Sequence, residues 1–277
     1  MSWSTNFCDV MPSTRWKKGT ITYDQPIIMG IVNVTPDSFS DGGIHVGPAS
    51  AAEHAFRLID DGAGMIDIGA ESTRPGWKRV PIEEEMRRLI PVIKEVAPSC
   101  DVPISVDTVK TEVAEAALDA GADIINDVSG LIGRGMTELI ASTGVPVIIN
   151  HIAGTLDTMH SHVMSGDVLS QIKDYLTERV NLALDAGISM DKIILDPGIG
   201  FGKTNAQNEE ILRNASYFGG EHPILIGHSR KRFLELMFDS RDDAASAKAS
   251  VIAFQGGADI IRVHNVERTR DALQLVM

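Results

Sequence analysis

The chain has only two cysteines, Cys8 and Cys100, far apart in sequence, so neither a disulfide framework nor a cysteine metal cluster can be built from them. A reducing cytoplasm is the compartment this usage implies. Long apolar runs are missing too: the longest stretches are strand length and interrupted, well short of the about 20 residues that span a bilayer. The opening MSWSTNFCDV lacks the basic segment and apolar core of a secretory leader. Basic residues are outnumbered, 25 against 38 acidic, for a net charge of -13. Nucleic-acid binding, which basic patches drive by neutralising phosphates, is therefore not expected. A small anion is still admissible, because a few local cations reverse the potential inside a cleft. No Pro/Ser linker or charge block divides the chain, and 43% hydrophobic with 23% charged residues is a globular composition, so 1–277 reads as one domain.

What is present is a repeat. Eight short apolar runs each stop at a polar residue: IIMGIVN at Asn33, MIDIG with Asp67, ISVD at Asp107, and DIIND with Asn126 and Asp127. The other four are VIINH with Asn150 and His151, IILD at Asp196, ILIGHS at Ser229, and DIIRVH with Arg262 and His264. Runs of Ile and Val with few polar breaks suit strands buried on both faces. Segments rich in Ala, Leu, Glu and Lys separate most of them, and from Asn33 to Arg262 the spacing averages about 33 residues, one βα unit each. Eight such units close a (β/α)8 barrel, an α/β fold whose functional groups gather at the C-terminal ends of the strands, where these polar residues fall.

Residues 1–26 fit no βα unit; TITYDQP alternates like a strand and predicts a short N-terminal hairpin covering the bottom of the barrel. Strands are expected at 27–34, 65–70 and 146–151, and an amphipathic helix at roughly 49–61. Long loops follow the first, second and fifth strands: TPDSFSDGGIHVG, ESTRPGWKRV and AGTLDTMHSHVMSGD. Loops of that length in a compact domain are usually lids or binding loops, and all three rise from one face.

Asp67, Asp107 and Asp196 inside an apolar ring are costly unless each meets a donor or a cation. One such Asp reads equally well as a helix cap or an ion-pair partner; three at equivalent positions favour a ligand. With the amide of Asn126, they suit a flat heterocycle presenting several N–H donors, such as an aminopyrimidinone. The cations Arg230, Lys231 and Arg262, with Ser229 and His264, follow strands seven and eight, where barrels of this kind commonly hold phosphate. A buried pair with one of the aspartates is the other reading of Arg262. Arg74, in STRPG, is an ordinary loop charge taken alone. DPGIGFGK at 196–203 lacks the spacing of a phosphate-cradling P-loop; its glycines allow a tight turn near a ligand, with Phe201 and Lys203 lining the mouth. His151, His160 and His162 are scattered and unsupported by a second cluster, and the first strand ends in NVTP instead of His-x-His, so zinc is not expected. Asn33 and Asp37 suit a hydrated Mg²⁺ that meets ligand phosphates.

MGIVNVTPDSFSDGG at 29–43 and ESTRPG at 71–76 resemble the two signatures of the dihydropteroate synthase family, and SVDT, IINDVSG, ILDPGIGFGK, GHSRK and QGGADIIRVH resemble its further segments in the same order. The likeness runs from about residue 27 to near the end of the chain. It implies a TIM barrel that joins 6-hydroxymethyl-7,8-dihydropterin pyrophosphate to 4-aminobenzoate, releasing pyrophosphate, as a cytoplasmic homodimer and sulfonamide target. It implies a pterin pocket of Asp67, Asp107, Asn126, Asp196 and Lys231. The pyrophosphate site it implies is Asn33, Thr73, Arg74, Arg262 and His264, with Mg²⁺ at Asn33. The aminobenzoate site is Phe39, Pro75, Phe201, Lys203 and Ser229. Asp107, Asp196, Lys231 and Arg262 carry the chemistry: Arg262, with His264, Arg74 and Mg²⁺, receives the departing pyrophosphate, and the carboxylates Asp107 and Asp196 stabilise the exocyclic carbocation in an SN1-like step. Loops 35–47 and 71–80 close to exclude water.

The sequence departs from the family in two places. Asn150 stands where an apolar Met usually precedes the His of the fifth strand, and His228 stands where an apolar residue is common. A methyltetrahydrofolate-dependent methyltransferase shares such a barrel, but has no need of the pyrophosphate groups in TPDSF and STRPG. A pterin-binding homologue without catalysis is the non-enzymatic alternative, for which Asn150 is the hint.

Overall fold

The computed structural model describes residues 12–35, 47–71, 79–159 and 161–277. It opens with an antiparallel hairpin, β1 (Ser13–Trp16) and β2 (Gly19–Thr22). Eight parallel strands follow: β3 (Ile27–Asn33), β4 (Met65–Gly69), β5 (Ile104–Asp107), β6 (Ile124–Asp127), β7 (Val147–Asn150), β8 (Ile193–Asp196), β9 (Leu225–Ile226) and β10 (Ile260–Val263). Their order is β8-β7-β6-β5-β4-β3-β10-β9, and a parallel bridge from Leu195 to Ile224 joins the two ends into a barrel. The expected strands lie within a residue of their places.

Helices cover the outside: α1 (Pro48–Asp60), α2 (Ile82–Val96), α3 (Thr111–Ala120), α4 (Met136–Thr143), α5 (Val168–Asp185) and α6 (Asn205–Arg213) each follow one strand. Two, α7 (Phe233–Phe238) and α8 (Asp243–Gln255), separate β9 from β10, and α9 (Val266–Gln274) ends the chain. Their starts follow from local chemistry. Asp167, Asp242 and Asn265 each accept a backbone N–H in the first turn of α5, α8 and α9, and Thr204 with Gln207 forms a reciprocal capping box at α6.

Strand alternation divides the core. Ile28, Val32, Ile66, Ile68, Ile125 and Ile149 face outward into the shell between sheet and helices. Met29, Met65, Ile124, Ile148, Ile194, Leu225 and Ile260 face inward and fill the lower barrel, and Tyr23, just after the hairpin, packs against them. The Tyr23 hydroxyl donates to Thr14 of β1 (2.7 Å), tying the plug to the hairpin as the sequence led one to expect. Each fully buried apolar side chain of this kind contributes roughly 1.5–3 kcal/mol. One step higher on the same inner face the character changes. Asp67, Asn126, Asn150, Asp196, Gly227 and Arg262 stand two residues beyond the plug residues of their strands. Among the described residues, no helix is long and apolar enough to cross a membrane.

Candidate active site

The polar ring is cross-linked. Arg262 Nε donates to Asp67 Oδ2 (2.6 Å), and its Nη2 donates to Asp107 Oδ2 (3.1 Å). Asp67 is fully buried, whereas Asp107 and Arg262 each keep about a fifth of their side chains exposed. Arg262 therefore forms the ion pair that was one reading of it, with two aspartates at once, while part of its side chain still meets solvent. Asn126 Nδ2 donates to the same Asp67 Oδ2 (3.1 Å), and Asn150 Nδ2 donates to Asn126 Oδ1 (2.9 Å). Space for the ring comes from Gly69, where a Cβ would stand 3.3 Å from that of Asp107.

Asp196, paired in register with Asn150, accepts the Gly198 N–H (2.7 Å). Gly198 has φ +70°, and a Cβ there would lie 1.8 Å from the His151 carbonyl oxygen, so this turn admits only glycine. Lys231 donates to the Ile199 carbonyl and places its ammonium 4.5 Å from the centre of the Phe201 ring. Ser229 Oγ accepts the His264 backbone N–H (3.3 Å) and lies 3.0 Å from His264 Nδ1, joining the β9 and β10 ends. Between Ser229 and Lys231, Arg230 takes a left-handed backbone (φ 58°), held by an ion pair to Asp243 (2.8 Å) and by its N–H on Ser246 Oγ (3.0 Å).

These positions perturb the titrations. Burial pushes Asp107 up to about 7 against the pull of Arg262, with Asp67 adding to the rise. Asp196 is raised by burial and opposed chiefly by Lys231. Burial brings Lys231 down to about 8, Asp196 limiting the fall. Arg262 is held above its ordinary value because the two aspartates outweigh its desolvation. Asp107 and Lys231 are thus both brought toward neutrality, a pattern frequent at catalytic sites.

One sequence expectation needs correcting. Lys203 does not line the mouth: its ammonium is turned inward, bonded to Gly198 O (2.8 Å), Phe201 O (3.1 Å) and His151 Nδ1 (2.9 Å). It braces the 197–203 turn from behind, and burial lowers it well below the usual lysine range. Asp127 pins the loop after β6 through Ser129 and Leu131, and His228 faces the helix layer, bonding Ser246 O (2.9 Å) and Ser250 Oγ (3.0 Å). Phe39, Thr73, Arg74 and Pro75, with Asp37 and His160, lie outside the described residues.

Other groups emerge only in three dimensions. Ser105, two residues before Asp107 and in register with Asp67, also faces inward, and both Ser105 Oγ and Asp67 Oδ1 are buried without a partner among the described residues. Strand alternation was the signal that could have found Ser105. Beside the mouth, Lys110 bonds both Glu71 and Glu85; Glu85 also accepts from Thr108 (2.7 Å), and Glu71 accepts the Val80 N–H (3.2 Å). This clasp ties residues 71 and 80, the two ends of the second long loop, to α2 and to the loop after β5. Among the described residues no three His, Cys, Asp or Glu side chains converge to hold a metal. Asn33, half-buried at the end of β3 and inward by alternation with Met29, offers a single hard oxygen. That donor set fits a Mg²⁺ that keeps most of its waters and takes its other ligands from a phosphate-bearing substrate.

Residues 29–264 match the pterin binding enzyme family. The chain belongs to that family. It is 42% identical to the dihydropteroate synthase of Escherichia coli K12 over 93% of each chain. Its fold is similar to the Xanthomonas albilineans dihydropteroate synthase solved with 4-aminobenzoic acid (TM-score 0.89, 42% identity, 96% of this chain and 97% of that one). It is also similar to the Burkholderia cenocepacia dihydropteroate synthase complexed with 7,8-dihydropteroate (TM-score 0.86, 35% identity, 96% and 95% covered). The match takes in both halves of the ring described above, from Asn33 to His264.

Proposed function

We propose that this barrel carries out the dihydropteroate synthase reaction, joining 6-hydroxymethyl-7,8-dihydropterin pyrophosphate to 4-aminobenzoate in folate biosynthesis. The observation that carries the reading is the junction at the barrel mouth. A floor of Asp107, Asn126 and Asp196 adjoins a rim of Arg262, His264, Ser229 and Lys231. The floor presents acceptors to the N–H groups of a pterin, and a charge-assisted hydrogen bond is worth about 1.5–3 kcal/mol. Two or three of them supply much of the roughly 8 kcal/mol of micromolar binding.

The C–O bond between the exocyclic methylene and the diphosphate breaks, and the diphosphate leaves with both electrons. Arg262 and His264 take up that charge, and being already fixed in place they do so without reorganising; the family resemblance adds Thr73 and Arg74 to them. The methylene cation is delocalised into the pterin ring, over which ionised Asp107 and Asp196 exert a stabilising field. The arylamine nitrogen then forms the new C–N bond from a slot beside Phe201 and Ser229, to which the family resemblance adds Phe39 and Pro75, and releases a proton. That nitrogen is neutral near pH 7, so no strong general base is required. Lys231 stands between floor and slot, placed to orient both partners. Lys203 serves by holding the turn that carries Phe201. Asn33 would hold a Mg²⁺ when it is bound, and the ion would supply further positive charge for the diphosphate.

On the same reading the enzyme works in the cytoplasm as a homodimer through its last helices, and sulfonamides compete for the arylamine slot. The test is pyrophosphate release from the pterin substrate with and without 4-aminobenzoate, before and after EDTA. Release that needs the arylamine and falls on chelation is expected. Release indifferent to 4-aminobenzoate would overturn the synthase, and indifference to EDTA would remove the metal.

A further inference from the structure

Asn150 is almost entirely buried at the end of β7, two residues beyond Ile148 of the apolar plug, and so faces inward. Its place in the ring is determined by donor and acceptor logic. The carboxylate of Asp67 accepts from Arg262 Nε and has only acceptors to offer, so Asn126 must turn its NH₂ toward Asp67. The Asn126 carbonyl then faces β7 and must meet a donor, and Asn150 supplies one with its own NH₂ (2.9 Å). The guanidinium on β10 thereby fixes the orientation of two amides in succession across β6 and β7. At the end of this relay the Asn150 carbonyl oxygen has no donor among the described residues, and its neighbour in register is Asp196.

We propose that Asn150 is a positioning and specificity-determining residue for the heterocyclic substrate. Its NH₂ locks Asn126 in the orientation that leaves one Asn126 N–H available, and its carbonyl adds an acceptor beside Asp196 for a further N–H of the ring. The floor then reads the heterocycle as a donor followed by two acceptors. A heterocycle whose edge lacks the N–H facing Asn150 leaves that oxygen unpaired and binds more weakly. This inference rests on the synthase reading of the same site.

Two variants test it, with KM for the pterin pyrophosphate and for 4-aminobenzoate measured separately. Asn150→Leu keeps the volume and removes both functions; it is expected to raise the pterin KM about tenfold or more, while the 4-aminobenzoate KM stays within about twofold. Asn150→Asp is isosteric and presents an acceptor where Asn126 needs a donor. Its pterin KM is expected to exceed the parent's at pH 8 and to approach it at pH 6, because the protonated carboxyl donates to Asn126 again. The other charged groups around it are Asp67, Asp107 and Asp196, with Lys231 and Arg262 of the rim and His151 and Lys203 of the neighbouring turn; their contribution is divided out by comparing variant with parent at each pH. A pterin KM within about twofold of the parent in Asn150→Leu overturns the proposal, as does a variant-to-parent ratio in Asn150→Asp that is flat with pH. Equal losses toward both substrates with a lowered melting temperature also overturn it, by assigning Asn150 to structure alone. Inactivity of the parent would instead remove the synthase reading, so the two failures are distinguishable.

Discussion

Replacing Asp107 by Asn should make the protein more stable and less active, and the size of the gain follows from its surroundings. Burial holds the Asp107 carboxyl at about 7 even with Arg262 beside it. In the unfolded chain the same group titrates near the ordinary value of about 3.9. A raised folded value means that the native state binds the proton more tightly. Stability is therefore lost progressively as pH rises from the unfolded value to the folded one, and the loss is constant above it. At about 1.36 kcal/mol per pH unit the cost at pH 8 is about 4 kcal/mol, reduced to as little as about half by solvent reaching the exposed part of the side chain. Asn is the neutral isostere and can still accept from Arg262 through its amide oxygen. Asp107→Asn should thus unfold in urea like the parent near pH 4 and be more stable by about 2–4 kcal/mol at pH 8. Its turnover, measured as pyrophosphate release, should fall more than about tenfold because the negative field over the methylene cation is gone. In the parent, turnover should rise through pH 7 as Asp107 ionises. An Asn variant that is no more stable than the parent at pH 8, or whose gain is the same at every pH, would refute the reasoning.

Lys110→Met leaves Glu85, almost wholly buried, without its cation. A loss of about 3–5 kcal/mol is expected at pH 8 in urea unfolding. The loss should be smaller at pH 5, since burial already raises Glu85 and removing Lys110 raises it further, so that it takes up a proton. Gly198→Ala would force a Cβ into the His151 carbonyl; a fall in melting temperature with an even larger fall in turnover is expected, because Asp196 and Phe201 both hang on that turn. Arg262→Met should abolish pyrophosphate binding by calorimetry, and should destabilise the fold more at pH 8 than at pH 5, where one of its two aspartates can be protonated.

The barrel was legible because its period is a local property. Runs such as IIMGIVN and IILD carry their burial on both faces in their composition, and their spacing carries the topology. The polar ends of those runs were legible for the same reason, which is why Asp67, Asp107, Asn126, Asp196 and Arg262 stand out in the sequence alone. Their pairing was not. Arg262 and Asp67 are 195 residues apart, and sequence offered phosphate or an aspartate as partners of the arginine without deciding between them. Lys203 was misplaced because a Gly-rich turn leaves the direction of a side chain undetermined; backbone carbonyls and His151 decide it. The Glu71–Lys110–Glu85 clasp was invisible because its members belong to three separate elements, each an ordinary surface charge when read alone.

The apolar stopper of Met29, Met65, Leu225 and their neighbours, backed by Tyr23, has a consequence for traffic. A tube corked at one end is a cul-de-sac: whatever lies against the floor has to arrive before whatever lies above it. The heterocycle must therefore be seated first, the arylamine second, and the coupled molecule must back out past the same doorway through which its halves came.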